Sequence, residues 1–311
     1  MFVPLSVLLL SLLVLSKASD WIIEHSMVLA RYFRVSELAI GFLLVAVATS
    51  LPELSVSITG ALTGNSGIAV GNVLGANIAD IALVLGITAL VTPIVVSKRE
   101  QVKLARILFA ASALPILILF EPSWLVGAVL LGFFALFAYF ILKEKVSMNE
   151  KTGAVGNWQA LFSGVLLAGS VFLLIASANF AVLAASDVAF SIGVSKAFVA
   201  ATIISMGTTL PELSVAIAGV KKKRYSLVLG NVFGSCIVNL TLVLGVAGLI
   251  TKLVPNKLAF ANLMAFTLLL SGMLLYFMRS HNRIIAKSEA LLLLGTYALF
   301  ILFAAAVELL T

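Results

Sequence analysis

The sequence predicts an all-α integral membrane protein, with ten transmembrane helices arranged as two five-helix repeats of inverted topology and both termini outside. Three observations carry this expectation. Of 311 residues, 62% are apolar and 11% charged, with a mean hydropathy of +1.20. A soluble domain carries about a quarter charged residues, so the solvent these side chains meet is lipid. Ten apolar runs each approach the ~20 residues that cross a bilayer as a helix. Finally, one 38-residue stretch occurs twice, at 49–86 and again at 208–245.

The runs lie at 3–32, 37–60, 67–92, 103–120, 123–142, 159–186, 196–220, 226–251, 258–278 and 289–310. The first lacks the basic start and small-residue cleavage pattern of a signal peptide. Its helical pattern continues past Lys17 and Asp20, which predicts one long membrane helix. Residues 143–158, the only long polar stretch, divide an N-terminal half, 1–142, from a C-terminal half, 159–311. They read as a cytoplasmic linker.

The net charge of +7 would suggest a nucleic-acid partner in a soluble chain. Here the basic residues stand in short loops, where they report orientation. Alternate loops hold sixteen of them, around 31–34, 98–106, 143–151, 221–224 and 279–287; the others hold only Lys196, Lys252 and Lys257. That asymmetry places the linker inside and both termini outside. The single cysteine, Cys236, lies in an apolar run and offers no disulfide framework or Cys/His metal motif. His25 and His281, near segment ends, are expected to be solvated loop or interface residues.

The two copies align without a gap at an offset of 159, with 18 of 38 positions identical. Shared hydrophobic composition does not explain Pro, Glu, Asn and Gly repeating in register. Where the first copy has the uncharged loop LTGNS (62–66), the second has KKKRY (221–225), so the two loops belong on opposite sides. Five helices per half then make the copies upside down to each other, an arrangement that puts binding sites at midplane between them.

Within these copies Glu53, Asp80 and Glu212 fall in mid-span, with no Lys or Arg beside them. A carboxylate at that depth costs about 2.5–3.5 kcal/mol on insertion scales and marks a functional position by default. A structural carboxyl buried for packing would not recur as a matched pair. Cations are the economical counter-charge, and hard cations take oxygen ligands. Pro52 and Pro211 remove a backbone donor just before each glutamate. This frees carbonyls near Ala48 and Gly207, while Thr49 and Thr208 add hydroxyls. Asn239 stands where the first copy has Asp80; Asn72 and Asn231 are matched as ligands or helix bridges. Gly71 with Gly75, and Gly230 with Gly234, read as small faces for close helix packing.

At these residues the chain resembles the cation/Ca2+ exchanger superfamily, in its prokaryotic Na+/Ca2+ antiporter branch. The motifs are ATSLPE (48–53) with GNVLGANIAD (71–80), and GTTLPE (207–212) with GNVFGSCIVN (230–239). The resemblance spans nearly the whole chain. It implies four cation sites among helices 2, 3, 7 and 8, and sliding of helices 1 and 6. The ligand set it implies is Thr49, Ser50, Glu53, Asp80, Thr208, Thr209, Glu212, Ser235 and Asn239, with the carbonyls of Ala46 and Ser205. Two positions depart from the family pattern. The acid and amide of the second motif are exchanged between the halves, and Ala76 stands where the other copy has Ser235.

The expected function is antiport of Ca2+ for Na+ across the cell membrane by alternating access, in a multi-pass monomer. Ca2+ and Na+ are transported substrates, and no cofactor, nucleic-acid partner or enzymatic activity is expected. H+/Ca2+ exchange is the nearest alternative. A channel lacks a reason for the proline-broken pair, and an intramembrane hydrolase lacks a nucleophile or a His-based metal motif.

Overall fold

A computed structural model describes residues 2–64, 66–96, 99–120, 123–143, 155–191, 207–254, 256–279 and 284–310. Helix α1 (Phe2–Phe33) is one continuous 32-residue helix, as its unbroken apolar pattern requires. His25 therefore lies inside this helix and not in a loop, half-buried with its Nδ1 covered, while His281 lies outside the described residues. The next span is bent: α2 (Glu37–Thr49) and α3 (Leu51–Leu62) meet at 47° across Ser50. Pro52, in the first turn of α3, lacks the donor that would carry the ladder through.

Helix α4 (Ser66–Val91) is followed by a break at Thr92, whose extended backbone is the conformation favoured before Pro93. Then come α5 (Arg99–Ala111), a 3-10 turn (Leu114–Leu119) and α6 (Ser123–Lys143). The second half holds α7 (Asn157–Ser191), α8 (Leu210–Lys221), α9 (Tyr225–Ile250), α10 (Lys257–Arg279) and α11 (Lys287–Leu310).

Counting the bent pair as one, nine spans among the described residues are long and apolar enough to cross a membrane. The expected run at 196–220 falls partly on 192–206, outside the described residues; α8 is its described remainder. Among the described residues the bundle is all-helical apart from one two-residue pairing, in which β1 (Ile94–Val95) runs antiparallel to β2 (Ile284–Ile285). This joins the segment after α4 to the one before α11, with Ile94 and Ile285 fully buried.

Repeated sequence gives repeated structure. The offset of 159 carries α3 onto α8, and α4 onto α9 from first residue to last. It also carries a π-helical turn at Asp80–Val84 onto one at Asn239–Val243. Helices α4 and α9 form the centre: 83% and 78% of their most apolar windows are buried, against 22–39% for the other unbroken spans. The outer helices thus screen the repeated pair from lipid. The longest, α1 and α7, pack along each other and enclose a second apolar cluster around Ile22, Leu167 and Leu174.

Contact between the halves depends on glycine. A Cβ on Gly41 in α2 would stand 2.4 Å from the Leu227 carbonyl oxygen, and one on Gly230 in α9 would stand 2.3 Å from that of Leu38. Gly234 likewise fits against Phe42 and Ala46. The small-face reading therefore holds for Gly230 and Gly234, which press α9 backbone to backbone against α2. For Gly71 and Gly75 no described atom lies within 4 Å of an added Cβ.

Candidate functional site

Each matched glutamate is placed by the same local device. Glu53 and Glu212 sit in the first turns of α3 and α8, beside unclaimed backbone N–H groups whose partial positive charge favours an anion. In both copies a leucine just after the acid restarts the ladder, with Leu54 N–H donating to Ser50 and Leu213 N–H to Thr209, each at 3.0 Å. Asp80 and Asn239 each open a π-helical turn, a local widening that occurs often at functional positions. The wider turn swings a side chain off the regular helical stripe.

These elements bring the sequence-nominated acids together. Glu53, Asp80 and Glu212 are 2%, 2% and 1% exposed, so none faces lipid or bulk water. All three lie within electrostatic range of one another. The threonines cross over between the halves: Thr208 hydrogen-bonds the Glu53 carboxylate, and Thr49 reaches the Glu212 carboxylate. Thr49 Oγ1 also lies 3.3 Å from the Ala46 carbonyl and 3.5 Å from both Asn231 Oδ1 and Ser235 Oγ. Ser50, Thr209 and Ser235 are buried at the same level. The Ala46 carbonyl accepts the Ser50 N–H at 2.9 Å within its helix. Ser205 lies outside the described residues.

The charge balance of this pocket is one-sided. The two described ion pairs, Lys222 with Asp20 and Arg224 with Glu37, involve none of its three acids. One oxygen of each acid (Glu53 Oε2, Asp80 Oδ1, Glu212 Oε2) is buried without a hydrogen-bond partner, and so are Ser50 Oγ and Asn239 Oδ1. Buried polar atoms are ordinarily satisfied, and these unpartnered oxygens belong to the three acids and to two residues of the same matched motifs. Among the described residues no three His, Cys, Asp or Glu side chains converge tightly enough to hold a metal by themselves.

Asn72 resolves as a bridge. Its Nδ2 donates to the Glu53 carbonyl at 2.9 Å and to Ser57 Oγ at 3.0 Å, tying α4 to α3. Asn231 has no such anchor, because Ala216 replaces the serine, and its Nδ2 is unpartnered. A cavity of about 390 Å³ reaches from Asn72, Ala76 and Thr208 outward past Val56 to Tyr297 and Phe300. Its inner end stops at two residues that both touch Glu53. Ala76 leaves part of this space unfilled, where the other copy has Ser235 against Thr49.

Sequence reasoning missed the crossing point of α4 and α9. Asn77 Nδ2 donates to the Cys236 carbonyl at 3.1 Å, and Asn239 Nδ2 donates to Asn77 Oδ1 at 3.2 Å. Cys236 Sγ lies 3.9 Å from Asp80 Oδ2. Cys236 therefore borders the acidic pocket. The signal available was register, since Cys236 is the counterpart of Asn77 at the offset of 159.

A multi-pass helical bundle with a bent span, matched π-helical turns and an uncompensated acidic pocket at its centre is the architecture of an ion-translocating membrane protein. The sodium/calcium exchanger protein family model matches residues 3–143 and 162–306, and the chain belongs to that family. The putative antiporter CaxA of Alkalimonas amylolytica is 34% identical, over 91% of this chain and 94% of the relative. The sodium/calcium exchanger MaX1 of Methanosarcina acetivorans is 28% identical, over 95% and 96%. Among solved structures, the sodium-calcium exchanger NCX_Mj soaked with 10 mM Na+ superposes with a TM-score of 0.83 at 30% identity, covering 96% of this chain and 98% of that one.

Proposed function

We propose that this chain is a secondary active antiporter that exchanges Ca2+ for Na+ by alternating access, with ions held at mid-membrane where the two repeats meet. It is a transporter and not an enzyme, in keeping with its family. The observation that carries the ion assignment is the set of three buried acids in mutual range, with orphaned oxygens and no described counter-charge. The ligands assigned are Glu53, Glu212, Asp80 and Asn239, with Thr49, Ser50, Thr208, Thr209, Ser235 and the carbonyls of Ala46 and Ser205.

Ca2+ and Na+ compete for the same negative charge. Three Na+ would neutralise three ionised carboxylates, whereas one Ca2+ leaves a negative charge behind. The two loaded forms then differ in charge, and the membrane potential drives the cycle at about 2.3 kcal/mol per charge per 100 mV. Na+ coupling is favoured over H+ because Thr49, Ser50, Thr208 and Thr209 supply neutral oxygens that a proton does not require. Radiolabelled Ca2+ uptake into proteoliposomes, driven by an outward Na+ gradient, is the direct measurement. Uptake that ignores the Na+ gradient but follows a pH gradient would reverse the assignment.

The matched α3–α4 and α8–α9 units and the alternating basic loops support ten spans, with halves 1–142 and 159–311 inverted about the inside linker 143–158 and both termini outside. The Lys/Arg asymmetry fits a cell-membrane location. Because all assigned ligands come from one chain, a monomer suffices.

The exchange of acid and amide between halves gives a compensation test. Asp80→Asn is expected to weaken Ca2+ affinity at least ten-fold, and more than Na+ affinity, because it removes charge and keeps shape. Adding Asn239→Asp restores the charge to the pseudo-symmetric place and should recover part of the loss; a double variant no better than the single would show that the half-sites are not interchangeable. Ala76→Ser places a hydroxyl beside Thr208 and is expected to raise apparent Na+ affinity several-fold. Na+ titrations of Ca2+ efflux decide it, and an unchanged midpoint removes Ala76 from the site.

A further inference from the structure

The two halves present chemically different donors where α4 and α9 cross. At position 77 the amide bridges the two helices, its nitrogen donating to the Cys236 carbonyl and its oxygen accepting from Asn239. At the register-matched position 236 the side chain is a thiol, fully buried and turned toward Asp80 Oδ2 at 3.9 Å. Two further atoms in this corner lack partners: Asp80 Oδ1 and Asn239 Oδ1, on residues 2% and 1% exposed. Glu212 lies within electrostatic range of both Asp80 and Cys236. One sulfur, a carboxylate oxygen and an amide oxygen thus stand together beside a further carboxylate. Oxygen-only sites suit Ca2+, whereas a sulfur donor shifts preference toward thiophilic metals.

We propose that Cys236 adds a sulfur ligand to the Asp80 side of the pocket, so that a thiophilic divalent cation of Ca2+ size, such as Cd2+, binds there in competition with Ca2+ and more tightly. The inference rests on the proposed cation site. Cd2+ matches Ca2+ closely in charge and size, which leaves the sulfur as the discriminating donor. As the Cd–S bond forms, the thiol proton is released to solvent.

The test uses the purified full-length protein and Cd2+ itself. Since the chain contains one cysteine, ultraviolet sulfur-to-cadmium charge-transfer absorbance reports Cys236 alone. The wild-type protein is expected to develop this band on Cd2+ addition and to lose it as Ca2+ is added. Cys236→Ser and Cys236→Asn, the latter copying the other half, should abolish the band and reduce the ratio of Cd2+ to Ca2+ affinity at least ten-fold. Absence of the band in the wild type, or a ratio unchanged in both variants, overturns the sulfur ligand while leaving the Ca2+ site standing. A cysteine-dependent band that Ca2+ cannot displace supports the sulfur ligand and overturns the shared Ca2+ site.

Discussion

Glu53→Gln and Glu212→Gln are each expected to reduce Na+-dependent Ca2+ uptake by at least about 100-fold, or ~3 kcal/mol of lost binding. The substitution is nearly isosteric. Glutamine keeps an oxygen that can accept from Thr208 or Thr49, and both positions are already shielded from lipid. What disappears is one of three negative charges in a pocket with no described cation to balance them. A dehydrated divalent ion depends on anionic oxygen far more than on any single neutral ligand. The variants should stay folded, because the change removes an uncompensated buried charge. Size-exclusion profiles in detergent, alongside proteoliposome uptake, separate lost transport from lost protein. Near-normal uptake by either variant would remove that glutamate from the ion path, and a large difference between the two would break the equivalence of the halves.

Gly230→Ala is expected to be the most damaging single methyl group in the chain. The added Cβ would lie 2.3 Å from the Leu38 carbonyl oxygen and 3.0 Å from the Leu38 carbonyl carbon and Cα. These are backbone atoms, which cannot move aside by changing rotamer. Overpacking in a core commonly costs about 1–3 kcal/mol, and a backbone obstacle puts this site at or above the upper end. Either α9 moves away from α2 or the halves fail to dock. Because α2 leads into Ser50 and the acidic pocket, even a folded variant should transport poorly. Gly169→Ala is the matched control, exposed on α7 with nothing within 4 Å of the added carbon. It should change stability by no more than about 0.5 kcal/mol. Thermal unfolding of the two proteins in detergent gives the comparison, and equal midpoints would refute the close approach of α2 and α9.

Much of this was legible in sequence because it is local or repetitive. Few charges and long apolar runs leave only a bilayer as solvent, and helical spans follow because lipid offers backbone groups no partner. Pro52 announces the break at Ser50, and the register of the two copies singles out Glu53, Glu212, Asp80 and Asn239. The place of Cys236 beside Asp80 was not legible, because the two residues stand 156 positions apart in the chain. His25 was read from its polarity alone; it falls within the long first run, and the helix that continues to Phe33 encloses it.

The sequence by itself determined the solvent, the helical character of the apolar runs, the repeat and the mid-span acids, since each is written in composition or in spacing along one helix. Only the tertiary structure decided which side chains from different helices share a pocket. It crossed Thr49 to Glu212 and Thr208 to Glu53, closed α9 onto α2 at Gly230, and turned the Cys236 sulfur toward Asp80. Contacts between helices depend on their relative rotation and distance, which are set by the packing of the whole bundle and by no one segment of the chain.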